Sequence, residues 1–258
     1  MASESILKEA LERVAQQNGF QSGKFTIKLT GEHEYMHTGM VKQYEITEPP
    51  NQNLKLSVRL PPTVTDKFLL IPMGNWFKNN VHFYKNVYTR IKSYGGLFTV
   101  PKFYSSSMKE NEEYIILEDL EASGYHRPSM SLGLDRIQLK VVLTTLSMFH
   151  QTVATWKNRD PADFKKICSE FRPVLGPKYP YKDRLPDYEK CLRTILQSIW
   201  YSSRTKHSAD QMRKHIVNLL DGCPGRLMRT LEDDFNLSWS TLVNCTMWTP
   251  NLLFRNHT

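Results

Sequence analysis

The hydrophobic pattern at the start of the chain changes from helical spacing to strand alternation. Residues 4–17 carry apolar side chains three and four positions apart, which predicts an amphipathic helix. From about residue 25 to residue 60 the pattern becomes one of short alternating segments. The clearest of these has apolar side chains at Leu54, Leu56, Val58 and Leu60. Because side chains two apart share one face of a strand, this segment predicts a half-buried β-strand.

A second amphipathic helix is predicted further along the chain. Its apolar stripe is formed by Phe77, Val81, Tyr84, Tyr88 and Ile91. The pair Gly95-Gly96 is expected to end this helix. A strand at about residues 97–104, a polar turn at 105–112 and a short buried strand at 114–117 are predicted next.

After residue 121 the pattern is helical almost throughout. A long helix is predicted over residues 134–156, and its expected buried side consists of Ile137, Val141, Leu146, Phe149 and Val153. A loop at 173–186, helices near 187–203 and 209–220, and brief strands at 239–243 and 252–254 follow. Along the chain, a region of strands with one helix is thus followed by a region of helices. This order predicts a two-lobed α+β architecture, in which the cleft between the lobes is the default ligand site.

The charge and the cysteine content of the chain disfavour some classes of function. The chain has 34 Lys and Arg against 26 Asp and Glu, a net charge of +8. These basic residues are spread over the chain, which favours a solvated surface and disfavours nucleic acid as a partner. Four cysteines stand far apart without a C-x-x-C pair, so a zinc site is not expected. No apolar run is long enough to span a bilayer and no signal sequence opens the chain, so a cytoplasmic protein is predicted.

The most specific motif lies between Tyr114 and Tyr125. It contains Glu118-Asp119-Leu120, followed by a glycine and an aromatic residue. An extended strand end of this kind offers backbone N–H and C=O groups to the edge of an adenine base. A strand that ends in an ordinary acidic turn explains the same residues.

Two further segments extend this motif into a family resemblance. The predicted helix 134–156 contains the pair Phe149-His150, and residues 242–254 place Trp248, Asn251 and Phe254 in the spacing H-G-D-x-W-x-x-N-x-x-F. The three segments, in this order, resemble the insect-type CHK-kinase-like (ecdysteroid-kinase-like) family.

The resemblance implies a protein-kinase-like α+β fold, related to choline kinase and the aminoglycoside phosphotransferases. It implies ATP and Mg²⁺ as cofactors and the hydroxyl of a small molecule, such as an ecdysteroid, as phosphoryl acceptor. The corresponding division is a β-rich N-lobe at 1–116, a hinge at 117–122 and a partial helical C-lobe at 123–258. Glu118, Asp119 and Leu120 would then line the nucleotide.

The chain departs from the family pattern at three positions. In that pattern a strand lysine binds phosphate, a helix glutamate pairs with it, and a loop aspartate accepts the proton of the attacking hydroxyl. Arg59, Asn80 and Thr246 stand at these positions here. Arginine is not a conservative replacement for lysine, and Thr246 cannot be a carboxylate base, whose contribution is ~10²–10⁴ in rate. Asn251 keeps the family residue, whose implied role is to bind Mg²⁺.

The phosphates could also be covered by a loop between two glycines. Gly31 and Gly39 flank residues 32–38 in the strand-rich region. This segment would lie over the phosphates in a nucleotide site. An ordinary hairpin is the alternative.

The end of the chain shapes the functional hypotheses. Thr258 precedes the segment that would supply a second Mg²⁺-binding aspartate, so we expect a truncated C-lobe whose exposed helix faces favour self-association. The first hypothesis is a degenerate, pseudokinase-like member of the family or a truncated gene product. The alternatives are an active ATP-dependent small-molecule kinase with atypical catalytic residues and an unrelated helical interaction protein.

Overall fold

The computed structural model describes residues 2–35, 39–62, 73–128, 133–172, 190, 194, 214, 242 and 251–255. Most of them belong to one compact unit, formed by Met1–Thr65, Phe77–Phe171 and Thr241–Thr258. A second unit comprises Asp66–Trp76 and Arg172–Ser240. Its described part is limited to residues 73–76 and a few isolated positions. The structural elements belong to the first unit, apart from residues 73–76 at the start of one helix.

The described part of the chain is an α+β structure. Its elements, in chain order, are α1 (Glu4–Gln17), β1 (Thr26–Tyr35), β2 (Gly39–Glu48), β3 (Gln52–Arg59), α2 (Met73–His82), a π-helical turn (Phe83–Val87), α3 (Tyr88–Ser93), β4 (Phe103–Ser107), β5 (Tyr114–Glu118), α4 (Arg136–Arg159) and α5 (Pro161–Ser169). No helix among these residues is long and apolar enough to cross a membrane.

The five strands form one antiparallel sheet in the order β1-β2-β3-β5-β4. β1 and β2 form a hairpin in which Tyr35 pairs with Gly39. In the centre of the sheet Arg59 lies opposite Val41 on one side and Ile115 on the other. Directly opposite residues share a face, which fixes the side on which each strand residue points.

The predicted first helix is confirmed as α1, which packs on one face of the sheet. Ser3 caps it by accepting a hydrogen bond from the Ile6 N–H at 3.4 Å. We call the covered side the α1 face, and its fully buried side chains under the helix include Ile46, Leu56 and Val58. At its edge, Lys42 forms an ion pair with Glu4 that ties the helix to β2.

The second predicted helix contains a π-helical turn. Phe77, Val81 and Ile91 are buried as the stripe predicts, but Val87 is buried where the stripe has Tyr88, which is only partly buried. The reason is the wider π turn, which shifts the helix face after it. The predicted end of this helix at Gly95-Gly96 is confirmed. Gly95 has a φ of +85°, which favours glycine, and a Cβ on Gly96 would lie only 2.5 Å from the Ile91 side chain.

The strand predicted at 97–104 is displaced. Residues 97–102 form no strand and Leu97 is 82% exposed, whereas β4 begins at Phe103 and runs through the serines that were expected to form a turn. These serines pair with β5, and cross-strand hydrogen bonding outweighs their weak intrinsic strand propensity. The buried strand at 114–117 is confirmed as β5, which ends at Glu118.

The long helix α4 is confirmed, but two of the five residues on its predicted buried side are exposed. Asp135 and Gln138 form a capping box at its start. Ile137 is 75% exposed and Val141 50% exposed, whereas Val153 is fully buried. Among the described residues, α4 packs on α3 and α5, and its fully buried side chains lie in its C-terminal half.

The second apolar core joins α3, α4 and α5. Its buried members are Val87, Ile91, Val153, Trp156, Phe164, Ile167 and Cys168. The Trp156 indole N–H donates to the Asp163 carboxylate at 3.0 Å, so its polar atom is satisfied within the core. Burial raises the pKa of the Cys168 thiol to about 12, which makes this cysteine a packing residue.

The remaining predicted elements lie outside the described residues. These are the loop at 173–186, the helices near 187–203 and 209–220, and nearly all of the strand at 239–243. At 252–254 a full strand is not formed. Phe254 alone makes an isolated antiparallel bridge, to His126.

Candidate nucleotide site

Arg59 is carried by the central strand β3, on the side opposite to α1. Alternate residues of a strand point to opposite faces, so Ser57 and Arg59 share a face that excludes Leu56 and Val58. We call this side the Arg59 face; through the strand pairing it also carries Ile115 and Leu117. Arg59 is half-buried, and its Nε atom is buried without a hydrogen-bond partner.

Asn80, which stands at the position of the family's helix glutamate, lies in α2 and is half-buried. No hydrogen bond joins Arg59 to Asn80 in the described part of the chain. One turn further along, the Tyr84 ring stacks on the Phe103 ring, with centroids 6.3 Å apart and planes 11° apart. Phe103 pairs with Leu117, which places Tyr84 over the Arg59 face.

Tyr84 and Arg59 interact electrostatically. Burial raises the pKa of the Tyr84 phenol, the positive charge of Arg59 acts in the opposite direction, and Tyr88 adds to the increase. The phenol therefore stays neutral at physiological pH and can donate or accept a hydrogen bond.

The hinge carboxylates accept hydrogen bonds from the protein's own backbone. The Glu118 carboxylate accepts a hydrogen bond from the Lys102 backbone N–H at 3.2 Å. The Asp119 carboxylate is buried and accepts the N–H groups of Glu121 and Ala122 at 3.0 and 3.3 Å. Both side chains therefore shape the hinge backbone, and this geometry does not direct them at a ligand.

Leu120 differs from its neighbours through its backbone. The Asp119 N–H donates to the Lys55 carbonyl at 3.2 Å, and the Leu120 carbonyl accepts from Ser123 and Tyr125, both at 3.0 Å. Within the described residues the Leu120 N–H donates to no group. The hinge thus has one main-chain donor available, and a base edge could accept from it.

The segment after the hinge is joined to the end of the predicted catalytic loop. His126 and Phe254 exchange two backbone hydrogen bonds of 2.8 and 2.9 Å. Next to them, the Arg255 guanidinium lies 5.9 Å from the centroid of the Tyr125 ring. Asn251 is therefore held three residues from this bridge, at an exposed position. Thr246 and Trp248 lie outside the described residues.

The described residues fit a nucleotide better than they fit Mg²⁺. Arg59 can neutralise phosphate and the Leu120 N–H can meet a base. However, the described part of the chain contains no cluster of three His, Cys, Asp or Glu residues that could hold a metal ion. Asn251 alone is an insufficient ligand set for Mg²⁺, which prefers an octahedral shell with carboxylate oxygens.

Two residues near the site were missed by the sequence patterns. Glu121 accepts hydrogen bonds from Gln43 at 3.1 Å and from Arg127 at 2.7 Å, which connects β2 to the hinge. Tyr84 was assigned only to an apolar stripe. The sequence signal that could have identified Tyr84 is its hydroxyl group, because a polar group in a buried apolar stripe usually has a hydrogen-bonding role.

Taken together, the antiparallel sheet, the helix that crosses the Arg59 face and the hinge joined to the 251–255 segment define a kinase-like α+β protein. The model of the ecdysteroid kinase-like family matches residues 35–258, and the chain belongs to that family. No curated protein matches it, and neither does any solved structure.

Proposed function

We propose that this protein is a catalytically impaired member of the kinase-like phosphotransferase family that keeps a nucleotide cradle. The observation that carries the proposal is the Leu120 N–H at the hinge, which donates to no group among the described residues and follows β5, the strand that pairs with the strand of Arg59. The family implies a nucleotide and a small-molecule hydroxyl acceptor in general. An ecdysteroid-like acceptor is part of the proposal.

The impairment follows from three residue types. Arg59 can pair with phosphate through its planar fork but lacks the compact ammonium of lysine. Asn80 brings no negative charge to hold a cation in place. Thr246 cannot accept a proton as a carboxylate does, and a general base is worth ~10²–10⁴ in rate. We therefore propose that phosphoryl transfer is orders of magnitude slower than in a member with the full residue set.

Calorimetry with ATP tests the cradle, and a transfer assay tests the chemistry. We expect ATP to bind with a Kd above roughly 100 μM, equally with Mg²⁺ and with EDTA, because the metal ligands are incomplete. With an ecdysteroid as acceptor, phosphate transfer should stay at background. Low-micromolar, Mg²⁺-dependent binding with turnover would contradict the proposal and support the active-kinase alternative.

A matched variant distinguishes two explanations of weak ATP binding: a correctly identified site with low affinity, and a site assigned to the wrong residues. The triple substitution Arg59→Lys, Asn80→Glu and Thr246→Asp restores the family residues at the three departing positions. We expect it to tighten Mg²⁺·ATP binding and to raise transfer above that of the wild type. If it changes neither quantity, the three positions do not form the cradle we propose.

We further propose the division into an N-lobe at 1–116, a hinge at 117–122 and a C-lobe at 123–258, and a cytoplasmic location. Self-association is a second part of the proposal, favoured by the exposed apolar side chains of α4, among them Ile137 and Leu143. Sedimentation at increasing protein concentration tests it. The variant Ile137→Glu should lower the average mass if a second copy covers this helix face, and a monomer at all concentrations would contradict it.

A further inference from the structure

The side chain of Gln43 reaches from the β1–β2 hairpin to the hinge. Gln43 lies opposite Ser57 of β3, so its side chain lies on the Arg59 face of the sheet. Its Nε2–H donates to the Glu121 carboxylate at 3.1 Å, across 78 positions of the sequence. Both side chains are partly buried, so water competes less with this hydrogen bond than it would at an exposed surface.

A glycine in the neighbouring strand makes room for this side chain. Gly31 lies opposite Gln43 in the register of β1 and β2. A Cβ at Gly31 would lie 2.4 Å from the Gln43 Oε1 atom, which is much closer than van der Waals contact. Any side chain at this position would therefore displace the Gln43 carboxamide. Gly31 thus has a steric role in the contact, which its place beside a possible phosphate-covering loop did not indicate.

The Glu121 carboxylate holds a second partner through its other oxygen. The Arg127 Nε–H donates to Oε1 at 2.7 Å, whereas Gln43 donates to Oε2. The Arg127 and Glu121 side chains are 29% and 33% exposed, so this ion pair is better shielded from solvent than a typical surface pair. Arg127 directly follows His126, whose backbone exchanges two hydrogen bonds with Phe254. One carboxylate therefore joins β2 to the segment that pairs with the end of the predicted catalytic loop.

The main chain of Glu121 lies beside the available hinge donor. Its N–H donates to the Asp119 carboxylate at 3.0 Å, and its carbonyl accepts from the Gly124 N–H at 3.1 Å. The preceding residue is Leu120, whose N–H donates to no group among the described residues. Since only two backbone dihedrals per residue are soft, fixing residues 119 and 121 limits the directions in which the Leu120 N–H can point.

We propose that Glu121 is a positioning residue that fixes the hinge to the β1–β2 hairpin and to the segment containing Arg127. We call the contacts of Glu121 with Gln43 and Arg127 the hinge anchor. The anchor keeps the Leu120 N–H in one direction and transmits a displacement of the hairpin to the hinge. Its contribution to nucleotide binding rests on the proposed function; the anchor itself does not.

Hydrogen exchange of backbone amides in the whole chain, without any ligand, tests the anchor. In Gln43→Ala we expect the hinge amides of Glu121 and Tyr125 to exchange at least about threefold faster, because the hinge opens locally more often. The Val58 amide in the central strand β3 should keep its wild-type rate. Equal acceleration at all three amides would indicate general destabilisation and overturn the proposal, as would an unchanged rate at the hinge.

A second variant, Gly31→Ala, disrupts the same anchor without removing a hydrogen-bonding group. Its added methyl group displaces the tip of the flexible Gln43 side chain, so hinge exchange should accelerate as in Gln43→Ala. Thr30→Val is the matched control, because the Thr30 hydroxyl donates to the main-chain carbonyl of Gln43 at 3.2 Å. It should leave hinge exchange unchanged. Equal acceleration in Thr30→Val and Gly31→Ala would assign the effect to the hairpin in general and refute the anchor.

A double variant with exchanged donor and acceptor supplies a readout that general packing would not move. Glu121→Gln keeps one acceptor oxygen, so it loses one of its two partners and hinge exchange should accelerate. Adding Gln43→Glu lets the introduced amide donate to the introduced carboxylate, while the amide oxygen accepts from Arg127. Hinge exchange should then return to within about twofold of the wild-type rate. If the double variant exchanges as fast as Glu121→Gln alone, the proposal fails.

ATP titration distinguishes failure of the anchor from failure of the proposed function. If Gln43→Ala and Gly31→Ala accelerate hinge exchange but the wild type binds no ATP, the anchor stands and the proposed function fails. If the wild type binds ATP and neither variant changes hinge exchange or affinity, the proposed function stands and the anchor fails. Where both hold, each variant should weaken ATP binding by at least about threefold, because the hinge donor is less well preorganised.

Discussion

The α1 face and the Arg59 face of the same sheet differ in how their polar groups are satisfied. On the α1 face, Leu56 and Val58 are fully buried, and the two polar groups at its edge, Lys42 and Tyr44, both reach the Glu4 carboxylate. On the Arg59 face, Arg59 Nε and Ser106 Oγ are buried without partners. In the described part of the chain, the α1 face thus has these two polar groups paired, whereas the Arg59 face keeps an unpaired polar atom on the central strand β3 and another on the edge strand β4.

This difference indicates what each face contributes. A buried polar group without a protein partner calls for an explanation, such as a binding role or an ordered water or ion that pairs with it. Both faces hold fully buried apolar side chains, Leu56 and Val58 on the α1 face and Ile115 and Leu117 on the Arg59 face. The Arg59 face adds the polar groups that we propose for ligand binding. Substitutions on the two faces should then separate stability from ligand affinity.

The largest expected effect is on the α1 face. Leu56→Ala should lower the free energy of unfolding by about 2–5 kcal/mol, because it opens a cavity in a fully buried position. Urea unfolding measures this directly. The neighbouring substitution Ser57→Ala, on the Arg59 face, is the matched control and should change stability by less than about 1 kcal/mol. Equal losses in both variants would remove the distinction between the faces.

The hinge provides the next effect in size. Asp119→Ala should cost about 1–2 kcal/mol, because the carboxylate accepts two backbone N–H groups in the manner of a helix cap. Asp119→Asn keeps an acceptor oxygen and should retain most of the stability, as thermal unfolding can check. If both variants were as stable as the wild type but bound ATP less tightly, Asp119 would be a ligand-binding residue, contrary to its inward geometry.

A smaller effect concerns the pH dependence of the α1 contact. The hydrogen bond from Lys42 holds the pKa of Glu4 below its usual value, against the opposing effect of burial. The folded-state pKa is thus the lower one, so this contribution is present above the unfolded pKa of about 4.3 and is lost as pH falls through the folded value. The Glu4 side chain is 68% exposed, and solvent screening limits the contribution to under about 1 kcal/mol.

Unfolding measured between pH 7 and pH 3 in wild type and Glu4→Gln checks this expectation. The difference between the two proteins should shrink as the pH is lowered. A difference that stayed constant over this range would mean that Glu4 acts through packing alone.

The smallest expected effect is on the Arg59 face. Ser106→Ala should leave stability unchanged or raise it by up to about 1 kcal/mol, because the hydroxyl it removes has no partner. Ser107→Ala is the comparison, since the Ser107 hydroxyl accepts the Lys109 N–H at 3.2 Å and its loss should destabilise slightly. A clear loss of stability in Ser106→Ala would show that this hydroxyl is paired in solution.

Much of the fold could be predicted from local periodicity. The helix at 4–17 and the buried strand at 114–117 follow from side-chain spacing, because each contributes one continuous apolar face to a core. The displaced strand β4 and the exposed start of α4 could not be predicted this way. Whether Ser105 joins a sheet, or Ile137 is covered, depends on which partner lies beside it.

The parts of the candidate site that could be predicted are those where a sequence motif lies at the end of a predicted strand. Arg59 and the hinge were proposed from the family resemblance, which falls at the end of the alternating strand β3 and just after the continuous apolar run of β5. The inward orientation of Asp119 depends on a turn that alternation does not encode. The place of Tyr84 depends on a π turn and on strand register together, and neither leaves a distinct mark in the spacing of apolar residues.

The location of α1 has a practical consequence for any shortened version of the protein. The family match begins at residue 35, whereas α1 ends at Gln17, so the helix lies outside the matched range. A recombinant fragment cut to the matched range would keep the strands that carry Ile46, Leu56 and Val58 but lose their cover. Such a fragment would expose a continuous apolar surface and tend to aggregate. Expression should therefore start from the first residue.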